Sequence, residues 1–349
     1  MADASIVRDA RLDTGRRLAA PLGRFAALLA IALALFAAIL MLFGRNPLRA
    51  YADIFSSTLG SAYGFSETLV KMTPLILTAL AAAVPSRIWL INVGGEGQLF
   101  VGALCATWAA IHLDGLPSFL LLTIMAAVGF LGGGLWAAIA GVLRAGGWVS
   151  ETISTLLMNY VAILLVNFLV FGPWKDPDGV NYPQTAEFSA GAILPMLGGT
   201  RVHLGLVFAL VATVLFAFLL ARTRWGLEVR AIGGNAEAAR RNGIPIERYI
   251  LVMMFIGGGL AGLAGMAEVS AIQGRLRPSL SPGYGYSGFL ISWMAGGHPA
   301  GIVAAAFVLA VITAGGDILQ MTQALPGSVV NILMAVVLFV VLGRPPGRR

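Results

Sequence analysis

Apolar runs separated by short polar breaks recur along the whole chain. They fall at 25–43, 69–88, 97–113, 118–143, 152–172, 204–221, 250–271, 284–295, 299–316 and 325–343. A run of about 20 apolar residues, wound as a helix, crosses the hydrocarbon core of a bilayer. The pattern therefore predicts an all-α membrane protein, a polytopic bundle of about ten transmembrane helices, with eight possible. Two of the shorter runs follow glycine-rich approaches, 92–97 (NVGGEG) and 282–288 (PGYGYSG). Irregular backbone ahead of a short helix is how transporters build half-helices. The 278–316 segment holds no Asp, Glu, Lys or Arg, and Gly296-Gly297-His298-Pro299 reads as a turn inside it. The first run ends in MLFGRNP without a small-residue cleavage site, so it reads as an uncleaved span.

One polar island interrupts this pattern, at 223–249 (TRWGLEVRAIGGNAEAARRNGIPIERY). Asn235 is placed to cap a short helix over 236–242. Glu237 stands at its positive end and Arg240 and Arg241 at its negative end. Gly243 suits a left-handed cap, and Pro245 prevents continuation. The plain alternative is a basic loop that only sets orientation.

Composition agrees with the class. Of 349 residues, 58% are hydrophobic and 11% charged, with a mean hydropathy of +0.86, against about 25% charged in a soluble domain. The net charge of +7 does not point to nucleic acid, because the basic residues sit at run ends and in the island. Placing the N-terminal tail 1–24, Arg144, the island and the tail 344–349 in the cytoplasm puts both termini inside and makes the span number even. Residues 25–343 form the transmembrane domain, and 173–203 the main outside loop. Arg275 and Arg277 then fall outside, against the rule, and read as lining a docking surface.

The chain has no G-x-x-x-x-G-K-[ST], H-E-x-x-H or G-x-S-x-G stretch, one cysteine, and three scattered histidines. It reads as neither an enzyme nor a metal protein, and as carrying no cofactor of its own. Glu96, between two apolar runs, either caps the following helix or lines a pathway, since a carboxylate at membrane depth costs about 3 kcal/mol without a partner. Its neighbours Asn92 and Gln98 join it as pathway candidates. Asn159 and Asn167, eight apart on one helix, bond either another helix or a polar solute. Tyr284, Tyr286, Phe289 and Trp293 form either an interface belt or a platform for a flat ring.

NVGGEGQLFVGA, GLEVRAIGGNAEAARRNGI and PGYGYSGFLISWMAGGHPAGI resemble three stretches of a known family: the permease subunits of bacterial ABC importers in the branched-chain amino acid, sugar and nucleoside group. The resemblance covers roughly 65–345. E-G-Q together with ETISTLLMNY looks most like the nucleoside-type permeases. The resemblance implies an importer of a small polar solute, in first place a nucleoside, in the bacterial inner membrane. A separate cytoplasmic ATPase, which holds ATP and magnesium, would press on Asn235, Ala236, Glu237, Arg240, Arg241 and Gly243. A second, different permease and a periplasmic or lipoprotein solute-binding protein complete the expected assembly. The pathway would pass Asn92, Glu96, Gln98, Asn159, Tyr284, Phe289 and Trp293. The alternatives are a sugar-importing ABC permease, an ion-coupled secondary transporter using Glu96, and a scaffold without a pathway. GGHP at 296–299, where many relatives have Gly-Gly-Asn-Pro, leaves His298 without an implied role.

Overall fold

The computed structural model describes residues 30–179, 182–323, 325–328, 331, 332, 335, 336 and 340. The tails 1–24 and 344–349 and most of the run at 325–343 lie outside these. Every named element is helical: α1 (Ala30–Leu42), α2 (Pro47–Thr58), α3 (Ala62–Ser86), α4 (Gly95–His112), α5 (Ser118–Ala145), α6 (Glu151–Phe171), α7 (Gly205–Arg222), α8 (Arg224–Gly234), α9 (Ala236–Arg241), α10 (Ile246–Ala267), α11 (Tyr284–Met294) and α12 (Pro299–Gln323). Among the described residues, six helices are long and apolar enough to cross a membrane: α3, α5, α6, α7, α10 with its π-helical end, and α12. A seventh crossing is made if α1 and α2 count as one span bent by 116°. The expected ten are thus not all met. The runs at 97–113 and 284–295 are helices of 18 and 11 residues outside that set. Glu96, Gln98 and His112 lower the apolarity of the first, and the second is too short.

The chain forms two compact units, one made of Ser61–Ala310 and a smaller one of the residues before and after it. In the smaller unit, Gly44 turns with φ +68°, and Asn46 accepts from the N–H groups of Leu48 and Arg49 at 3.0 and 3.3 Å to start α2. The Tyr51 hydroxyl donates to the Leu33 carbonyl at 2.5 Å, tying α2 to α1. That helix was missed because 44–60 is too polar to read as a span; it is a short helix with a local cap.

In the larger unit, α4, α5 and α10 pack along glycines. A Cβ on Gly102 would strike Gly262, and one on Gly133 would strike the Gly258 carbonyl. With no hydrophobic drive between helices in lipid, such close backbone approach supplies the dispersion that holds them. The outer faces of α5 and α7 carry large exposed apolar side chains such as Phe119, Leu135, Val211 and Val214. In a soluble protein that would be costly; in a bilayer it is the solvent-facing surface.

The polar ends of the same unit are tied by ion pairs. Arg201 pairs with Glu67 at 2.9 Å, and Arg275 with Glu187 at 2.6 Å. Arg275 is thus stitched to the loop at 173–203. There the N–H groups of Thr185 and Phe188 donate to the carbonyls of Leu276 and Gly274. His203 is buried beside the start of α7 and accepts from the Gly205 N–H through Nδ1 at 3.2 Å. Burial lowers its pKa to about 4, which keeps the ring neutral.

Candidate functional site

Two regions hold the residues singled out in the sequence. The first is a buried junction where α4 and α11 begin. The chain leaves α3 at Ser86, runs irregularly over 87–94, and starts α4 with Gly94 as its cap residue. Polar groups left free by this irregular run need partners inside the protein. They find them on α6, where Glu151, Thr155 and Asn159 recur every fourth residue and so share one face. Glu151 Oε1 accepts from the Ile91 N–H at 3.2 Å, Thr155 Oγ1 from Val93 at 3.3 Å, and Asn159 Oδ1 from Gly97 at 2.8 Å. Asn159 Nδ2 also donates to the Val93 carbonyl at 3.0 Å and to the Tyr286 hydroxyl at 3.4 Å. Glu151 is held in turn by Arg144 at 3.0 Å.

Asn92 and Gln98 form a reciprocal amide pair at 3.0 and 2.9 Å, and Asn92 reaches the Ala81 carbonyl at 3.1 Å. Both are almost fully buried, and the Asn92 amide has all its hydrogen-bonding capacity in use. Glu96, also buried, accepts from the Gly285 N–H at 2.7 Å, so its carboxyl group lies at the amino end of α11 as well as of α4. A Cβ on Gly285 would collide with the Glu96 backbone, so the two helix starts touch main chain to main chain. Thr78 of α3 closes the junction by donating to the Tyr284 carbonyl at 3.0 Å.

Asn92, Glu96, Gln98, Asn159 and Tyr284 are therefore brought together. Phe289 and Trp293 lie further along α11, with ring centroids 5.7 Å apart. Trp293 is 58% exposed and Phe289 half-buried, whereas Asn92, Glu96, Gln98, Asn159 and Tyr284 are buried. Asn167 is not part of the cluster; its buried Oδ1 has no hydrogen-bond partner among the described residues. Thr155 and Thr78 were missed in the sequence, while Tyr286 and Gly285 stood out only as part of the aromatic group and the glycine-rich approach, without their contacts here. The fourfold spacing of Glu151, Thr155 and Asn159 was a readable signal for the first; the others depend on contacts from distant parts of the chain.

The second region is the arginine-rich island, which forms two helices. Thr223 Oγ1 accepts from the Gly226 N–H at 3.1 Å and starts α8, a helix not expected. Asn235 Oδ1 accepts from Ala238 at 3.0 Å and starts α9. The chain leaves α9 through Asn242 and Gly243, the latter at φ +81°. Arg241 pairs with Glu237 at 3.1 Å, and Arg240 with Glu247 at 2.7 Å. Five of the six α9 residues are exposed, and only Ala239 is buried. His298 stands exposed in the turn between α11 and α12.

Residues 64–342 match the family model described as branched-chain amino acid transport system / permease component. The chain is 36% identical to the glucose ABC transporter permease protein TsgB13 of Haloferax volcanii, over 88% of this chain and 83% of the relative. It is 31% identical to the nucleoside ABC transporter permease protein NupB of Lactococcus lactis (87% and 86% covered). The guanosine ABC transporter permease protein NupP of Bacillus subtilis is also 31% identical (89% and 90% covered). A second permease protein from each of the last two organisms, NupC and NupQ, is similar at 26% and 27% identity.

Proposed function

Because the chain belongs to the permease family of branched-chain amino acid transport systems, and is thus a multi-pass ABC transporter permease, we propose that it carries a nucleoside inward across the cytoplasmic membrane. The observation that supports the solute is that two relatives similar over nearly nine-tenths of the chain are named for nucleoside and guanosine transport. The neighbouring rings of Phe289 and Trp293, the latter exposed, suit a nucleobase, which stacks on aromatic side chains. In this reading Asn92, Glu96, Gln98, Asn159 and Tyr284 fix the position of α11 beside the pathway.

The exposed, capped α9 is the surface on which a separate ATPase, holding ATP and magnesium, presses from the cytoplasm. The paired permeases among the relatives support a second, different permease as partner, with a binding protein delivering the solute on the opposite side. The glucose permease relative favours one other reading, a sugar as solute. Reconstitution with the ATPase, the second permease and the binding protein decides between them. Guanosine uptake that needs ATP and resists excess glucose is the expected result. Glucose uptake that guanosine fails to compete would transfer the assignment to sugars. Uptake without the ATPase, abolished by a protonophore, would reject the ABC mechanism altogether.

A further inference from the structure

α3 ends in a Schellman turn. The Leu90 N–H donates to the Pro85 carbonyl at 3.2 Å, and the Trp89 N–H to the Ser86 carbonyl at 3.1 Å. The left-handed position of that turn is ordinarily glycine. Here it is Trp89, at φ +63°, the one non-glycine residue with positive φ among those described. Burial does not account for it, since Trp89 is 71% exposed. Its indole is engaged elsewhere: Nε1 donates to the Gly233 carbonyl, at the end of α8, at 2.6 Å. From the other side, a Cβ on Gly233 would strike the Arg87 carbonyl, so α8 and this turn meet on bare backbone.

The same turn grips two further elements. The Arg87 guanidinium donates to the Gly297 carbonyl, between α11 and α12, and lies 5.7 Å from the centre of the Phe216 ring on α7. Immediately after it come the N–H groups of Ile91, Val93 and Gly97 that α6 holds, and Glu96 of α4, which accepts from Gly285 at the start of α11. The 87–98 backbone therefore joins the Trp89 contact with α8 to the α6 bonds and to the junction of α4 and α11.

We propose that Trp89, with Arg87, is the positioning residue that carries displacement of α8 and α9 to the 91–98 segment and through Glu96 to α11. This rests on the reading of α9 as the ATPase-docking surface. The strained conformation persists because the indole N–H has to reach Gly233, and glycine, which fits the backbone better, has no side chain to do so.

The test compares wild type with W89G and W89F in the assembled complex in vesicles, reading solute uptake per ATP hydrolysed. Hydrogen exchange at 91–98 is followed in parallel on the purified full chain without partners. W89G relieves the backbone strain, so its thermal midpoint should hold or rise. Its uptake per ATP should fall about fivefold, the worth of one neutral hydrogen bond, and exchange at Ile91, Val93 and Gly97 should quicken. W89F keeps a ring but lacks the N–H, and should show the same uncoupling in milder form. A tryptophan serving only as a membrane-surface anchor would be replaced by phenylalanine without loss. Unchanged uptake per ATP in both variants, or unchanged exchange at 91–98, overturns the link. Wild-type vesicles without ATP-driven uptake would instead sink the transport reading, and the exchange comparison would still decide whether the turn is coupled to the junction.

Discussion

Helices α9 and α11 both need acceptors for the free N–H groups of their first turn, and they obtain them in opposite ways. α9 takes its acceptor from the preceding residue, Asn235, whose Oδ1 reaches Ala238. α11 begins after Gly283, at φ +98°, with no cap from that residue. Ser281 Oγ accepts from the N–H groups of Gly283 and Tyr284, and the next N–H, of Gly285, goes to Glu96, 189 residues away. The difference follows from surroundings. An exposed helix start can share its donors with water, so a local side chain suffices. A buried one has no water to share, and any donor left over must find an acceptor elsewhere in the fold. The buried start thereby becomes a joint between distant segments, and the exposed one stays an independent piece.

The comparison is broken most severely at Gly285. Gly285→Val drives a side chain into the Glu96 backbone, and overpacking of this kind costs about 3 kcal/mol or more where backbone must move. Loss of monodisperse protein on size exclusion is expected. Gly234→Ala, next to α9 where a Cβ meets open space, should leave the midpoint within about 0.5 kcal/mol.

Glu96→Ala comes next. It strands the Gly285 N–H in a buried site, at a cost of about 1–3 kcal/mol in thermal unfolding. Glu96→Gln keeps an acceptor oxygen and should recover most of the loss; if Gln is as damaging as Ala, the capping role is wrong. Asn235→Ala should cost about 1 kcal/mol, confined to α9. It should appear as faster hydrogen exchange at Ala238 with no change in the global midpoint, and a fall in that midpoint would show that α9 is not independent. Smallest is Glu237→Ala, which removes an exposed pair to Arg241. A few tenths of a kcal/mol are expected, vanishing in high salt.

Much of the helical order was legible because apolar length is itself the signal. The runs at 118–143, 152–172 and 204–221 match α5, α6 and α7 to within a few residues at either end. The Asn235 cap and the Gly243 exit were legible because both act within one turn of their own helix. α2 and α8 were not, since neither is long or apolar, and each depends on a local cap in a polar stretch. At the candidate site, Asn92, Glu96, Gln98 and Asn159 stood out as polar residues in apolar surroundings. Asn92 and Gln98 bond each other six residues apart, but the partners of Asn159 and Glu96 did not stand out, because they lie 62 and 189 residues away.

The sequence by itself determined that this chain lives in a bilayer, where many of its helices start and stop, and where its basic stretches lie. These are decided by hydrophobicity and by contacts within a few residues. The tertiary structure alone decided that the starts of α4 and α11 meet at Glu96 and Gly285, that α6 holds the 91–97 backbone, and that α8 leans on Trp89. Each of these brings together groups far apart in sequence, and in an apolar interior only the completed fold can supply a buried donor with its acceptor.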